Sequence, residues 1–161
     1  MQLDALVLYN GNGDIRQIRF RPGRLNIITG ESGTGKTSII GILRFLLGGD
    51  SPHVPLGPIQ KTVAWYGLLA HVGGAQFFVG RPAPAHGVTT SQVMLSIGES
   101  EIPELAALEA NANTDDLVDY LGGLIGIEEN LHVPAEGHTR RALAANFRHS
   151  LYYNFQGQGE V

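Results

Sequence analysis

The sequence contains no cysteine, so the protein has no disulfide bond and no cysteine-ligated metal site. It also lacks a run of about 18 apolar residues, and a membrane-spanning helix is therefore not expected. Its first residues, Met1–Asp4, lack the basic and apolar regions of a secretory signal peptide. Together these absences predict a cytoplasmic protein that is not attached to a membrane.

Positive charge is scarce as well. The net charge is −4 and only two of the 161 residues are lysines, so the composition gives no general affinity for nucleic acid. The six histidines show no spacing typical of zinc ligands, and no sustained heptad pattern predicts a coiled coil. With 43% hydrophobic and 16% charged residues, the composition is that of an ordered globular protein.

One glycine-rich segment carries most of the functional information. Residues 30–37 read Gly-Glu-Ser-Gly-Thr-Gly-Lys-Thr, which matches the phosphate-binding pattern G-x-x-x-x-G-K-[ST]. Glycines allow the backbone N–H groups to curl around phosphates, and the helix that follows adds its N-terminal partial positive charge. Lys36 is suited to bridge the β- and γ-phosphates, and Thr37 to place its hydroxyl on Mg²⁺. The sequence therefore predicts a binding site for a nucleoside triphosphate.

The segments around this loop have the patterns of a strand and a helix. The apolar run 24–29 predicts the strand that enters the loop, and 38–47 has helical spacing with Gly48–Gly49 as its stop. Further elements are predicted from their patterns: strands at 3–9, 15–20, 62–72, 76–81 and 89–97, and helices at 115–125 and 138–149, the last opened by Thr139. We therefore expect an α/β fold of the P-loop NTPase type, with a mixed β-sheet around the P-loop helix.

The most basic stretch of the chain precedes the loop and contains Arg16, Arg19, Arg21 and Arg24. We interpret it as a solvated strand face. A contact from one of these arginines to the nucleotide base or phosphates is the alternative.

The loop resembles the Walker A motif of ABC-type ATPases, which commonly run G-x-S-G-x-G-K-[ST]-[ST]. The residues that carry the resemblance are Gly30, Glu31, Ser32, Gly33, Thr34, Gly35, Lys36, Thr37 and Ser38. Residues 25–30, which lead into the loop, and residues 42–49, at the end of the helix after it, are similar to the corresponding segments of the SMC branch. That branch includes the bacterial repair ATPase RecN. The stretch 65–69 and the Gly48–Gly49 exit are also similar to SMC-like ATPases of bacterial three-component defence operons. The resemblance implies an ABC/SMC-type head that binds ATP and Mg²⁺ through these nine residues.

Residues 155–161, Phe-Gln-Gly-Gln-Gly-Glu-Val, resemble the Q-loop of the same branch. This implies that Gln158 contacts the catalytic Mg²⁺ and the attacking water, with Gln156 as the alternative. The signature motif, Walker B strand and switch histidine follow the Q-loop in the family and are not recognised here. Leu121–Leu124 lacks the serine and glutamine of a signature, and 124–129 lacks the aspartate of a Walker B strand. We therefore interpret 1–161 as the N-terminal lobe of an ABC/SMC-like head.

In the family, ATP is bound between Walker A of one head and the signature motif of another. The resemblance thus implies that a second head, or a C-terminal lobe in trans, completes the site. It also implies that this chain alone binds ATP with negligible turnover. Implied settings are DNA repair, chromosome maintenance or phage defence, with DNA contacted through the full-length protein and other operon-encoded subunits as further partners.

Two other hypotheses remain. One is a self-contained small P-loop kinase or NTPase, in which Glu128 or Glu129 takes the Walker B role and Arg140, Arg141 and Arg148 form a lid. The other is a non-catalytic nucleotide-sensing module, whose P-loop regulates assembly only.

Overall fold

The computed structural model describes residues 1–31, 33, 35–54, 57–85, 88–127, 131–132 and 143–155. Within them the strands are β1 (Gln2–Asn10), β2 (Ile15–Arg19), β3 (Val63–Val72), β4 (Ala75–Pro82), β5 (Gln92–Ile97), β6 (Ala112–Asn113), β7 (Leu131–His132) and β8 (Leu143–Ala144). The helices are α1 (Lys36–Leu46), α2 (Pro58–Thr62), α3 (Thr114–Leu124) and α4 (Phe147–Asn154), with a 3₁₀ turn at Leu105–Ala107. No helix in these ranges is both long and apolar enough to cross a bilayer.

The main sheet has six strands in the order β2-β1-β3-β4-β5-β6, and β7 and β8 form a separate pair. Short turns join β1 to β2 and β3 to β4. The turn from β1 to β2 has Gly13 at φ 92°, and the turn from β3 to β4 has Gly73 and Gly74 at φ 54° and 95°. Two successive residues with positive φ match the right-handed twist of the flanking strands. The hairpin predicted at Gly73–Gly74 is therefore confirmed.

The two faces of the sheet are covered by different parts of the chain. Because side chains alternate along a strand, Leu6 of β1 lies in one core and its neighbour Val7 in the other. The larger core joins the sheet to α1, α3 and α4 through buried side chains such as Leu68, Phe77, Ile42, Phe45, Leu117 and Leu151. The smaller core lies under segment 102–108, where the hydroxyl of Tyr9 donates to the carbonyl of Pro103 at 2.9 Å.

Helix α1 connects the glycine-rich loop to the larger core. Ile42, Phe45 and Leu46 of α1 are at most 2% exposed. The helix ends where predicted, because Gly48 adopts φ 100° and donates its N–H to the carbonyl of Phe45. The sheet therefore holds α1, and with it the loop at its N-terminus.

The predicted strand 24–29 is wrong, because these residues have no regular secondary structure. Leu25 is 87% exposed and Ile27 is 74% exposed, and no strand of the described part of the chain pairs with them. An extended segment without a neighbour has no ladder of hydrogen bonds to hold it. The side chain of Asn26 instead bonds the carbonyls of Arg21 and Arg24 in the preceding turn, each at 3.0 Å. With this segment unpaired, every pairing between the described strands is antiparallel, and the expected mixed sheet is also corrected.

The predicted helix 138–149 is wrong at 143–146 and is confirmed at 147–149, which are the first residues of α4. Residues 143–144 form β8, and α4 begins at Phe147. Asn146 caps this helix by accepting from the N–H of Arg148 at 3.1 Å, the role that the sequence pattern predicts for Thr139. Thr139 itself lies outside the described residues.

Candidate functional site

The glycine-rich loop enters α1 through two residues in the left-handed region. Gly33 has φ 81° and Gly35 has φ 85°, a conformation that residues with a Cβ rarely adopt. A Cβ on Gly35 would also lie 3.2 Å from Cδ1 of Ile59 on α2. Left-handed residues of this kind turn successive backbone N–H groups to one side and form a nest for anions. Ser32 and Thr34, which the resemblance to the Walker A motif predicts as further ATP-binding residues, lie outside the described residues.

The N-terminus of α1 is open to an anion. Its N-cap, Gly35, has no side chain that could accept from the first N–H groups, and the first turn contains no acidic residue. Such N–H groups have no partner within the helix, and the helix dipole adds partial positive charge there. Thr37 in this turn is exposed and is therefore accessible to a Mg²⁺ ion that accompanies phosphates. Ser38, in contrast, is 5% exposed.

The lysine of the motif folds back onto its own loop. Lys36 Nζ donates to the carbonyl of Gly30 at 2.7 Å and to the carbonyl of Glu31 at 2.6 Å. Bonds from an ammonium to neutral carbonyls are weaker than bonds to phosphate oxygens, which carry full charge. A phosphate chain can therefore draw this side chain away from the two carbonyls without leaving the ammonium unpaired.

Beside the loop lies a cleft of about 280 Å³ between the β1–β2 hairpin and α1. The rim includes Gly30, Gly35 and Lys36. The walls are formed mainly by apolar side chains, those of Leu6, Leu8, Ile18, Ile28, Ile39 and Ile59. Among the described residues that line it, only Arg16 and Lys36 are charged. Motif reasoning found Lys36, whereas Arg16 was placed on a solvated strand face.

The opposite end of α1 is held by a buried arginine that the sequence did not single out. Arg81 on β4 is 0% exposed, and its guanidinium lies 3.7 Å above the ring centre of Phe45. It donates to the carbonyls of Phe45, Gly49 and Thr90, the bond to Gly49 measuring 2.6 Å. A cation at the C-terminus of a helix is also stabilised by the helix dipole. Arg81 therefore fixes α1 against the sheet.

Burial lowers the pKa of Arg81 to about 10. The carboxylate of Asp50 raises this pKa and the guanidinium of Arg148 lowers it, both as smaller effects. Arg81 is thus protonated at neutral pH, and its positive charge is permanent under ordinary conditions.

A second arginine links α1 to the end of α4. Arg44, in the last turn of α1, donates to the carbonyl of Phe155. Phe155 directly precedes Gln156, and both Gln156 and Gln158 lie outside the described residues. Their roles stay predictions, as do those of Glu128, Glu129, Arg140 and Arg141, which also lie outside them.

Comparison with protein families identifies the same region. Residues 8–67 match the model of a family described as an AAA domain. The match includes the end of β1, all of β2, the glycine-rich loop, α1, α2 and the first part of β3. It supports a P-loop ATPase domain of the SMC-like type, with general use of nucleotide and Mg²⁺. No curated protein matches the chain.

Proposed function

We propose that this chain is the ATP-binding lobe of an SMC-like ATPase head, similar to that of RecN. The observation that carries the proposal is the arrangement at the N-terminus of α1. There a loop with two left-handed glycines, an uncapped helix end and Lys36 converge within the region that matches an AAA domain. Each of these features favours a phosphate chain, and together they favour the β- and γ-phosphates of a nucleotide.

The roles of the residues follow from their positions. The N–H groups of the loop and of the first turn of α1 donate to phosphate oxygens. Lys36 leaves the carbonyls of Gly30 and Glu31 and binds the β- and γ-phosphates of the nucleotide. Thr37 offers its hydroxyl to Mg²⁺. A Mg²⁺ ion held there would supply neutralisation of phosphate charge. The apolar walls of the cleft beside the loop limit the access of water and so strengthen these contacts.

The site is proposed to be completed by another structural unit. Hydrolysis of ATP needs a group that orients or deprotonates water. No carboxylate or histidine lies among the described residues that line the cleft. The exposed, unpaired segment at Leu25–Ile28, immediately before the loop, is a suitable edge for pairing with a strand from that other unit. We assign this role to a C-terminal lobe or to a second head that binds in trans.

The packing of α1 favours this proposal over a self-contained kinase. Small nucleotide kinases of the βαβ type place their P-loop helix against a parallel sheet. Here α1 packs on strands whose described pairings are all antiparallel. The biological setting that we propose is DNA repair, chromosome maintenance or phage defence. DNA would then be contacted through the full-length protein, and further operon-encoded subunits would be partners.

The test is ATP turnover measured per molecule over a wide range of protein concentration, with Lys36→Ala as the control. A composite site predicts turnover that is negligible in dilute solution and increases with concentration or with an added second lobe. Lys36-dependent turnover that stays constant per molecule on dilution would identify a self-sufficient P-loop enzyme. Lys36-dependent binding with no turnover at any concentration or with any added lobe would identify a nucleotide-sensing module.

A further inference from the structure

The cleft beside the P-loop has positive charge on two opposite walls. One wall is α1, which contributes Lys36, and the other is the β1–β2 hairpin, which contributes Arg16. None of the described residues that line the cleft is acidic. Most of the other side chains that line the cleft are apolar. Such a site favours an elongated anion that both cations can reach.

The register of the hairpin determines which arginine faces the cleft. Arg16 pairs with Leu8 across the two strands, and Ile18 pairs with Leu6, and all four residues line the cleft. Because side chains alternate along a strand, Arg19 belongs to the other face of β2, and it does not line this cleft. The hairpin therefore presents one of its two strand arginines to the P-loop.

Arg16 is available for a ligand. No hydrogen bond or ion pair joins its guanidinium to another side chain or carbonyl in the described part of the chain, and the residue is exposed. Lys36, on the other wall, already bonds two carbonyls of its own loop. An anion that enters between the walls would thus gain a new charge-assisted bond from Arg16. At Lys36, a bond to the anion would replace a bond to a carbonyl of the loop.

We propose that Arg16 is a second cationic contact to the triphosphate of the bound nucleotide, acting from β2 opposite Lys36. This inference rests on the proposed nucleotide-binding function and extends it to a residue outside the glycine-rich loop. Arg16 also lines the cleft through its stem and helps to cover the phosphates from water. Its recognition of phosphate is independent of the base, so free polyphosphate shares the same chemistry.

The test compares Arg16→Ala with Arg19→Ala, which removes the same charge from the opposite face of the same strand. Affinity for Mg·ATP is measured by calorimetry on the full chain, with the wild type and Lys36→Ala as references. We expect Arg16→Ala to weaken binding about tenfold, the lower range for a charged hydrogen bond because Arg16 is exposed. Arg19→Ala should change the affinity less than twofold. The affinity of Arg16→Lys should lie between those of the wild type and Arg16→Ala.

The outcomes separate the inference from the proposed function. Lys36-dependent binding with equal affinities for Arg16→Ala and Arg19→Ala would overturn the role of Arg16 and leave nucleotide binding intact. A wild-type chain that does not bind Mg·ATP would overturn both. Tripolyphosphate is the second probe, and its affinity should fall in Arg16→Ala as that of ATP does. If Arg16→Ala lost affinity for ATP but not for tripolyphosphate, the phosphate contact would be overturned, and Arg16 would instead contact the nucleoside.

Discussion

Arg81 offers the strongest prediction about the stability of the fold. Its guanidinium is buried at the C-terminus of α1, where it bonds the carbonyls of Phe45, Gly49 and Thr90 and stacks on the Phe45 ring. These acceptors belong to three separate parts of the chain: the P-loop helix, the turn after it and the segment before β5. One side chain on β4 therefore joins the P-loop helix and the turn after it to the segment before β5.

We expect Arg81→Met to lower the free energy of unfolding by about 2–6 kcal/mol, because it removes the donor from two backbone carbonyls. The carbonyls of Gly49 and Thr90 lose the guanidinium as a donor, which costs about 1–3 kcal/mol for each. The carbonyl of Phe45 keeps the N–H of Gly48 as a donor. Methionine fills much of the same volume, so cavity formation is a smaller part of the loss. Arg81→Lys keeps the charge but supplies a single ammonium in place of a planar fork, and we expect a loss of about 1–3 kcal/mol.

The assay is urea unfolding followed by circular dichroism, with Arg19→Met as the control. Arg19 is exposed, and its replacement should change the free energy of unfolding by no more than about 0.5 kcal/mol. If Arg81→Met were as stable as Arg19→Met, the three hydrogen bonds at the end of α1 would not hold the fold together. A loss in Arg81→Lys as large as that in Arg81→Met would show that geometry, and not charge, is what the site requires.

Two further substitutions test the loop and the smaller core. Gly35→Ala introduces a Cβ at φ 85°, 3.2 Å from Cδ1 of Ile59, and should reduce ATP affinity at least about tenfold as the nest is displaced. Gly23→Ala is its control, because Gly23 has φ 68° with open space around it, and equal losses of ATP affinity in both variants would contradict a local role for Gly35. Tyr9→Phe removes the bond to Pro103 and should lower the free energy of unfolding by about 1–2 kcal/mol in urea titrations, whereas Tyr152→Phe at a 75% exposed position should not. Matching stabilities of these two variants would argue against the contribution of the Tyr9 hydrogen bond.

Elements with strong local signals were predicted well from the sequence. Helix α1 follows the loop and ends at Leu46, just before Gly48–Gly49, and the β3–β4 hairpin turns at Gly73–Gly74. In each case the glycines that end or turn the chain supply the required positive φ, so the signal lies in a few adjacent residues. The P-loop was recognised for the same reason, since its chemistry depends on backbone curvature and one lysine within eight residues.

Features that depend on distant partners were not predicted. Segment 24–29 has the composition of a strand, but a strand forms only where a neighbour completes its hydrogen bonds. Arg81 lies in β4 without a local pattern that marks it, and its role depends on carbonyls 9 to 36 positions away in the sequence. Arg16 and Arg19 are the same type of residue on the same strand, and only the pairing of β2 with β1 decides which of them faces the P-loop. Strand formation at 24–29 and the roles of these arginines thus depend on pairing register and long-range contacts, which local sequence patterns do not contain.

The most direct test of the central claim is equilibrium binding of Mg·ATP to the wild-type chain, Lys36→Ala and Lys61→Ala. The chain has only these two lysines, and Lys61 lies on α2 and does not line the cleft beside the P-loop. The account predicts that the wild type and Lys61→Ala bind with the same affinity, while Lys36→Ala binds at least about tenfold more weakly. Equal binding by all three proteins, or no binding by the wild type, would contradict the assignment of an ATP site to this loop.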